Sequence, residues 1–168
     1  MFCYNRTIYL RDTDAAGVAY FASLLSICHE AYEASLAAAG TPLSNLLNYA
    51  STAIPIVHAE ARFLQPLSCG DRCAVRLRPQ GWQAHRFAVA YELYLNPKNS
   101  PTGKPAATAR TQHYCIHPAT RQRQPLPESL QFWYHRWAEP DPDAGSGGSG
   151  GSDDGSLGLE APPGPDMP

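Results

Sequence analysis

YFASLLSICHEAYEASLAAAG, residues 20–40, is the stretch in which apolar residues recur at helical spacing for about five turns. Phe21, Leu24, Leu25, Cys28, Tyr32, Leu36 and Ala39 mark the repeat, and Gly40-Thr41-Pro42 supplies a stop. The spacing predicts one long helix from Tyr20 to Ala39. The other long runs alternate with the period of a strand instead. Ahead of the helix, Phe2, Tyr4, Arg6, Ile8 and Leu10 alternate with Cys3, Asn5, Thr7 and Tyr9, and a loop at 11–19 joins the two elements.

Behind the helix, LSNLLNYA (43–50) reads as a short helical turn and IPIVHAEARFLQ (54–65) as an extended segment. In that segment Val57, Ala59, Ala61 and Phe63 share one face, with His58, Glu60 and Arg62 on the other. After a turn at 68–72, strands are expected at 73–79, 83–95 and 106–117, with a Pro/Gly/Asn-rich loop between the last two. Phe87, Val89, Tyr91, Leu93 and Leu95 share a face of the second of these. A short helix is expected at about 127–137. The order is β-α-β-β-β-β, an α+β class in which a curled antiparallel sheet wraps around one long central helix. A single helix cannot cover both faces and the edges of such a sheet, so pairing with a second copy is expected.

The 168 residues suit one domain, placed at 1–138. Residues 139–168 carry 7 acidic residues and no Lys or Arg, and 18 of the 30 are Gly, Pro or Ser. That composition leaves little to bury, so a disordered acidic tail is expected. Residues 1–138 are then basic by +5, which suits a phosphate-bearing partner. No run of basic residues interleaved with aromatics is present, which argues against nucleic acid. No apolar run reaches the roughly 20 residues of a membrane span, and the first residues lack the pattern of a signal peptide, so a cytoplasmic location is expected. Five scattered cysteines show no CxxC pair and no zinc spacing, and no metal, flavin or nucleotide motif is present, so no cofactor is expected.

The loop before the helix reads Asp14-Ala15-Ala16-Gly17-Val18-Ala19-Tyr20-Phe21. It resembles the D-x-x-G-[VI]-V-[YW]-[YH] signature of the hotdog-fold acyl-CoA thioesterases of the 4-hydroxybenzoyl-CoA thioesterase-like group. It departs from it in Ala19 for Val and Phe21 for Tyr or His. CHEAYE (28–33), IPIVHAEARFLQPLSCGDR (54–72) and AHRF (84–87) are similar, within that group, to the cyanobacterial 1,4-dihydroxy-2-naphthoyl-CoA hydrolases of phylloquinone synthesis. The resemblance covers about residues 3–135. It implies a hotdog fold, an acyl-CoA substrate, and a homodimer or homotetramer with the site at a subunit interface. Hydrolysis of other aromatic or fatty acyl-CoA or acyl-carrier-protein thioesters is the alternative within enzymes, and a non-catalytic acyl-CoA-binding module the alternative outside them.

Thioester hydrolysis needs a nucleophile or a base, and donors for the charge developing on the carbonyl oxygen. A helix start offers unpaired N–H groups and partial positive charge. The resemblance gives Asp14 the catalytic role, as nucleophile or as base on water, and gives the backbone N–H of Phe21 the oxyanion site. Gly17 and Tyr20 then shape the substrate approach. His58 is expected to meet the acyl group, and His85 and Arg86 the CoA phosphates, with Arg110, Arg121 and Arg123 as weaker candidates. Against this stand an Asp14 that only holds a turn and a rival carboxylate in the helix, Glu30 or Glu33. Asp12 and Thr13 read as structural, and His29 and Glu33 as an i,i+4 contact.

Overall fold

The computed structural model describes residues 1–42, 46, 51–95 and 103–138. The helical turn expected at 43–50, apart from Leu46, and the tail at 139–168 lie outside the described residues. Among the described residues five strands form: β1 (Phe2–Thr7), β2 (Ile56–Phe63), β3 (Arg72–Gln83), β4 (Arg86–Leu95) and β5 (Ala107–Tyr114). The long helix α1 spans Phe21–Ala38, and α2 spans Glu128–Trp137 near the end of the described chain. The strands make one sheet in the order β1-β3-β4-β5-β2, with every neighbouring pair antiparallel. α1 contacts β1 and β2, the two edge strands, as well as β3. A sheet that reaches one helix from both edges is curled about it. This is the hotdog fold.

Alternation decides what the helix meets. Val75, Leu77, Val89 and Leu93 come from the concave face and Leu24, Ile27 and Leu36 from α1, all fully buried. Each such burial stabilises by about 1.5–3 kcal/mol. α2 closes over one end of α1, where Trp133 donates its indole N–H to the Ser35 hydroxyl at 2.8 Å and Trp137 donates to the Ser35 carbonyl at 3.1 Å.

Two strand limits differ from expectation. β3 does not stop near Pro79 but runs on to Gln83, so the hairpin turn falls at Ala84–His85 and His85 lies off the strand. Pro79 is tolerated because β1 pairs with β3 only as far as Leu77, which leaves that side of the strand without a ladder to break. In β2 the register passes from Ile56 opposite His113 to His58 opposite Gln112. Val57 is the extra residue of a bulge, and the alternation resumes from His58. β2 is also exposed along its whole length, on both faces.

Candidate active site

The loop between the 3-10 turn Leu10–Asp12 and α1 is a small closed hairpin. The Asp14 N–H donates to Val18 O at 3.0 Å, the Tyr20 N–H to Asp12 O at 2.8 Å, and the Gly17 N–H back to Asp14 O at 3.0 Å. Gly17 sits at φ 76, where a side chain costs about 1–2 kcal/mol, so a glycine belongs at this tip. Asp14 is exposed, and its Oδ1 accepts the Ala16 N–H at 2.8 Å. The turn-holding role is therefore real. It occupies one carboxylate oxygen, and the described residues give Oδ2 no hydrogen bond.

α1 begins without a side-chain cap: Tyr20 at the N-cap makes no such bond, and no acidic residue stands in the first turn. The Ser23 N–H turns back to Tyr20 O at 2.9 Å. The N–H groups of Phe21 and Ala22 find no acceptor among the described residues, which leaves two bare donors at the positive end of an 18-residue helix. Asp14, Tyr20 and Phe21 line one cleft of about 560 Å³ with Val18, Ala19 and the segment Phe63–Leu67. Its walls are mostly apolar, and Phe21 is 65% exposed with its ring 4.5 Å from that of Tyr20. A carboxylate, unpaired backbone donors and an apolar wall are what acyl transfer to water requires.

The other expected site residues lie elsewhere in the single chain. His58, opposite Gln112, stands on the convex face of the sheet, with its Nε2 3.9 Å from Glu60. His85 occupies the β3–β4 turn, its ring 5.8 Å from that of Tyr114. Arg86 donates to Gln83 at 2.6 Å and to the Tyr114 hydroxyl at 3.1 Å, and lines a separate cleft of about 210 Å³ with Arg110 and Gln112. Arg86 pairs with Tyr114 just past the Ile56 end of β2, whereas the Asp14 cleft begins at Phe63. The seven residue steps between are about 23 Å of strand. Ile56 is therefore at the far end of β2 from the cleft of Tyr20 and Phe21.

The rival carboxylates are engaged. Glu30 takes both its oxygens to Arg6 Nη1 at 3.0 Å, and Glu33 lies 3.3 Å from His29 as the i,i+4 spacing predicts. Burial pushes the thiol of Cys28 up to about 12 and that of Cys73 up to about 11, so neither core cysteine supplies a thiolate near neutrality. Among the described residues no group of three His, Cys, Asp or Glu side chains could hold a metal ion. Sequence reasoning missed Arg6 as a partner of Glu30 and Phe63–Leu67 as a wall. The signal for the first was present: Arg6 interrupts the apolar face of Phe2, Tyr4 and Ile8, and a charge placed inward needs a partner.

Fold and sequence together define a class. The profile of the thioesterase-like superfamily matches residues 8–134, and the chain belongs to that family. It is 51% identical over 130 residues, 77% of this chain and 92% of the relative, to a 1,4-dihydroxy-2-naphthoyl-CoA hydrolase of Rippkaea orientalis. The corresponding hydrolase of a Picosynechococcus species is 46% identical over 132 residues, 79% of this chain and 90% of its own. The crystal structure of a 1,4-dihydroxy-2-naphthoyl-CoA thioesterase from Synechocystis superposes with a TM-score of 0.74 at 40% identity, covering 83% of this chain and 98% of that one.

Proposed function

We propose that this chain hydrolyses 1,4-dihydroxy-2-naphthoyl-CoA to 1,4-dihydroxy-2-naphthoate and CoA, the step in phylloquinone synthesis that its sequence resemblance implies. The observation that carries the chemistry is the meeting of Asp14 and the uncapped start of α1 on one cleft. The naphthoyl preference rests on relatives so named at 46% and 51% identity. In the proposed step the thioester carbonyl oxygen accepts the Phe21 N–H. Asp14 takes a proton from water as the water oxygen bonds to the carbonyl carbon. Collapse of the tetrahedral adduct breaks the C–S bond, and the sulfur leaves as thiolate and is protonated. The rings of Tyr20 and Phe21, tilted 53° to each other, offer apolar contact to the naphthoyl group.

The working unit is a homodimer with its site shared between subunits. β2 is an edge strand exposed on both faces, and Phe63 and Leu64 continue its apolar surface into the cleft. Antiparallel pairing of β2 with its own copy about a two-fold axis sets the Ile56 end of one strand beside the Phe63 end of the other. That brings the partner's basic corner toward Asp14, and with it His85 and Arg86 for the CoA phosphates and His58 for the acyl ring. No described helix is long and apolar enough to cross a membrane, and the five cysteines are free, which suits a reducing cytoplasm.

Thiol release from the naphthoyl thioester, measured beside benzoyl-CoA and a long-chain acyl-CoA, tests the activity. Selective release from the first is expected. Faster release from another thioester would reassign the substrate, and binding of CoA without release from any would leave a binding module. Mixing Asp14→Asn with Arg86→Ala subunits tests the shared site: at substrate well below KM, thiol release rises on exchange, as sites of native KM form, if the two residues come from different chains.

A further inference from the structure

Arg6, the last but one residue of β1, has its side chain only 4% exposed, and it faces two acids from different elements. One guanidinium nitrogen holds both oxygens of Glu30, in the middle of α1, at 3.0 Å. Another donates to Asp12 Oδ2, and Nε donates to Thr7 O at 3.0 Å. Asp12 is itself buried; the same Oδ2 accepts the Tyr9 N–H at 2.8 Å, and its backbone oxygen accepts the Tyr20 N–H at 2.8 Å. Asp12 thus closes the base of the hairpin that carries Asp14, while Glu30 belongs to the helix whose first N–H groups face the same cleft.

We propose that Arg6 is a positioning residue for the reaction: its guanidinium, bridging Asp12 and Glu30, fixes the Asp14 loop against the start of α1, so that base and oxyanion donors keep their spacing. The inference rests on the roles given above to Asp14 and Phe21. The planar fork of arginine suits the task because it presents separate donors to two carboxylates at a fixed angle, which a lysine ammonium does not. The helix transmits the restraint. Glu30 and Phe21 are nine residues, about 13 Å, apart on one rigid rod, and small misplacements of a reacting group lower rates steeply.

Two measurements on the full chain test this. In steady-state thiol release, Arg6→Lys and Glu30→Gln are each expected to lower kcat about tenfold or more, with KM within about twofold and the pH profile unmoved. The double variant should be no worse than the poorer single, because both changes cut one link. Hydrogen exchange at the Asp14, Ala19 and Tyr20 amides should rise at least about tenfold in either variant while β4 stays protected. Unchanged kcat and unchanged exchange in folded variants would overturn the proposal. So would a Glu30→Gln protein without activity beside a fully active Arg6→Lys protein, which would make Glu30 the reacting carboxylate. Should Arg6→Lys fail to fold, Glu30→Gln decides, since its side chain is 40% exposed. A native protein that releases thiol from no thioester refutes the hydrolase reading, and exchange then still decides whether Arg6 locks the loop.

Discussion

Asp14 and Phe21, separated by a loop that turns at Gly17, line the same cleft. The carboxylate of one and the unpaired N–H of the other are the two groups that acyl transfer to water needs together. Asp14→Asn retains the side-chain oxygen that accepts the Ala16 N–H, so the turn should survive while the proposed base is lost. Thiol release is expected to fall at least about 10²-fold with an unchanged circular dichroism spectrum and melting temperature.

Gly17 tests the loop without touching the chemistry. At φ 76, Gly17→Ala forces a β-carbon into the left-handed region although nothing crowds it there. A loss of about 1 kcal/mol in chemical denaturation is expected, with a fall in kcat as the Asp14 turn relaxes.

Arg86 should act on the CoA end of the substrate alone. Arg86→Ala is expected to raise KM for the CoA thioester about fivefold or more, with kcat little changed. A pantetheine thioester, which lacks the nucleotide phosphates, should show no difference between the two proteins. A similar rise in KM for both substrates would remove Arg86 from phosphate binding.

His113 makes folding sensitive to acid. It is 1% exposed, stacked on Phe87 at 4.7 Å, with Nε2 2.9 Å from Thr111 Oγ1, and Tyr32 and His29 stand on the helix side. Burial pulls its pKa from 6.5 down to about 4, and His29 adds to the effect. The folded state keeps His113 neutral while the unfolded chain protonates it. The stability it contributes is therefore complete above pH 6.5 and is lost as pH falls toward 4, amounting to about 3 kcal/mol. Denaturation midpoints measured from pH 7.5 to 4 should fall more steeply in the native protein than in His113→Gln.

Ser35 holds α2 on α1. Ser35→Ala leaves the buried Trp133 N–H without its acceptor, which should cost about 1–3 kcal/mol in urea unfolding. Trp133→Phe should cost a comparable amount, and the double variant less than the sum, because the two side chains share one bond.

Local periodicity by itself determined the elements. The 3.6-residue repeat from Phe21 to Ala39 and the alternation in β1, β4 and β5 depend on near neighbours, and they led to one helix inside a curled sheet. Asp14, Tyr20 and Phe21 were grouped through the resemblance of their motif, and they share a cleft because a loop and the helix start that follows it remain adjacent in any fold. Tertiary structure alone decided what depends on distant contacts. Arg6 finds Glu30 across 24 residues and Trp133 finds Ser35 across 98, and no pattern within a strand or helix specifies such partners. The end of β1 at its Leu77 partner let β3 pass Pro79, which moved His85 into a turn. β2 shows the limit most clearly. Its alternation set apolar residues on one face and polar ones on the other, yet both faces are exposed, because the sheet order makes it an edge and what covers an edge belongs to assembly.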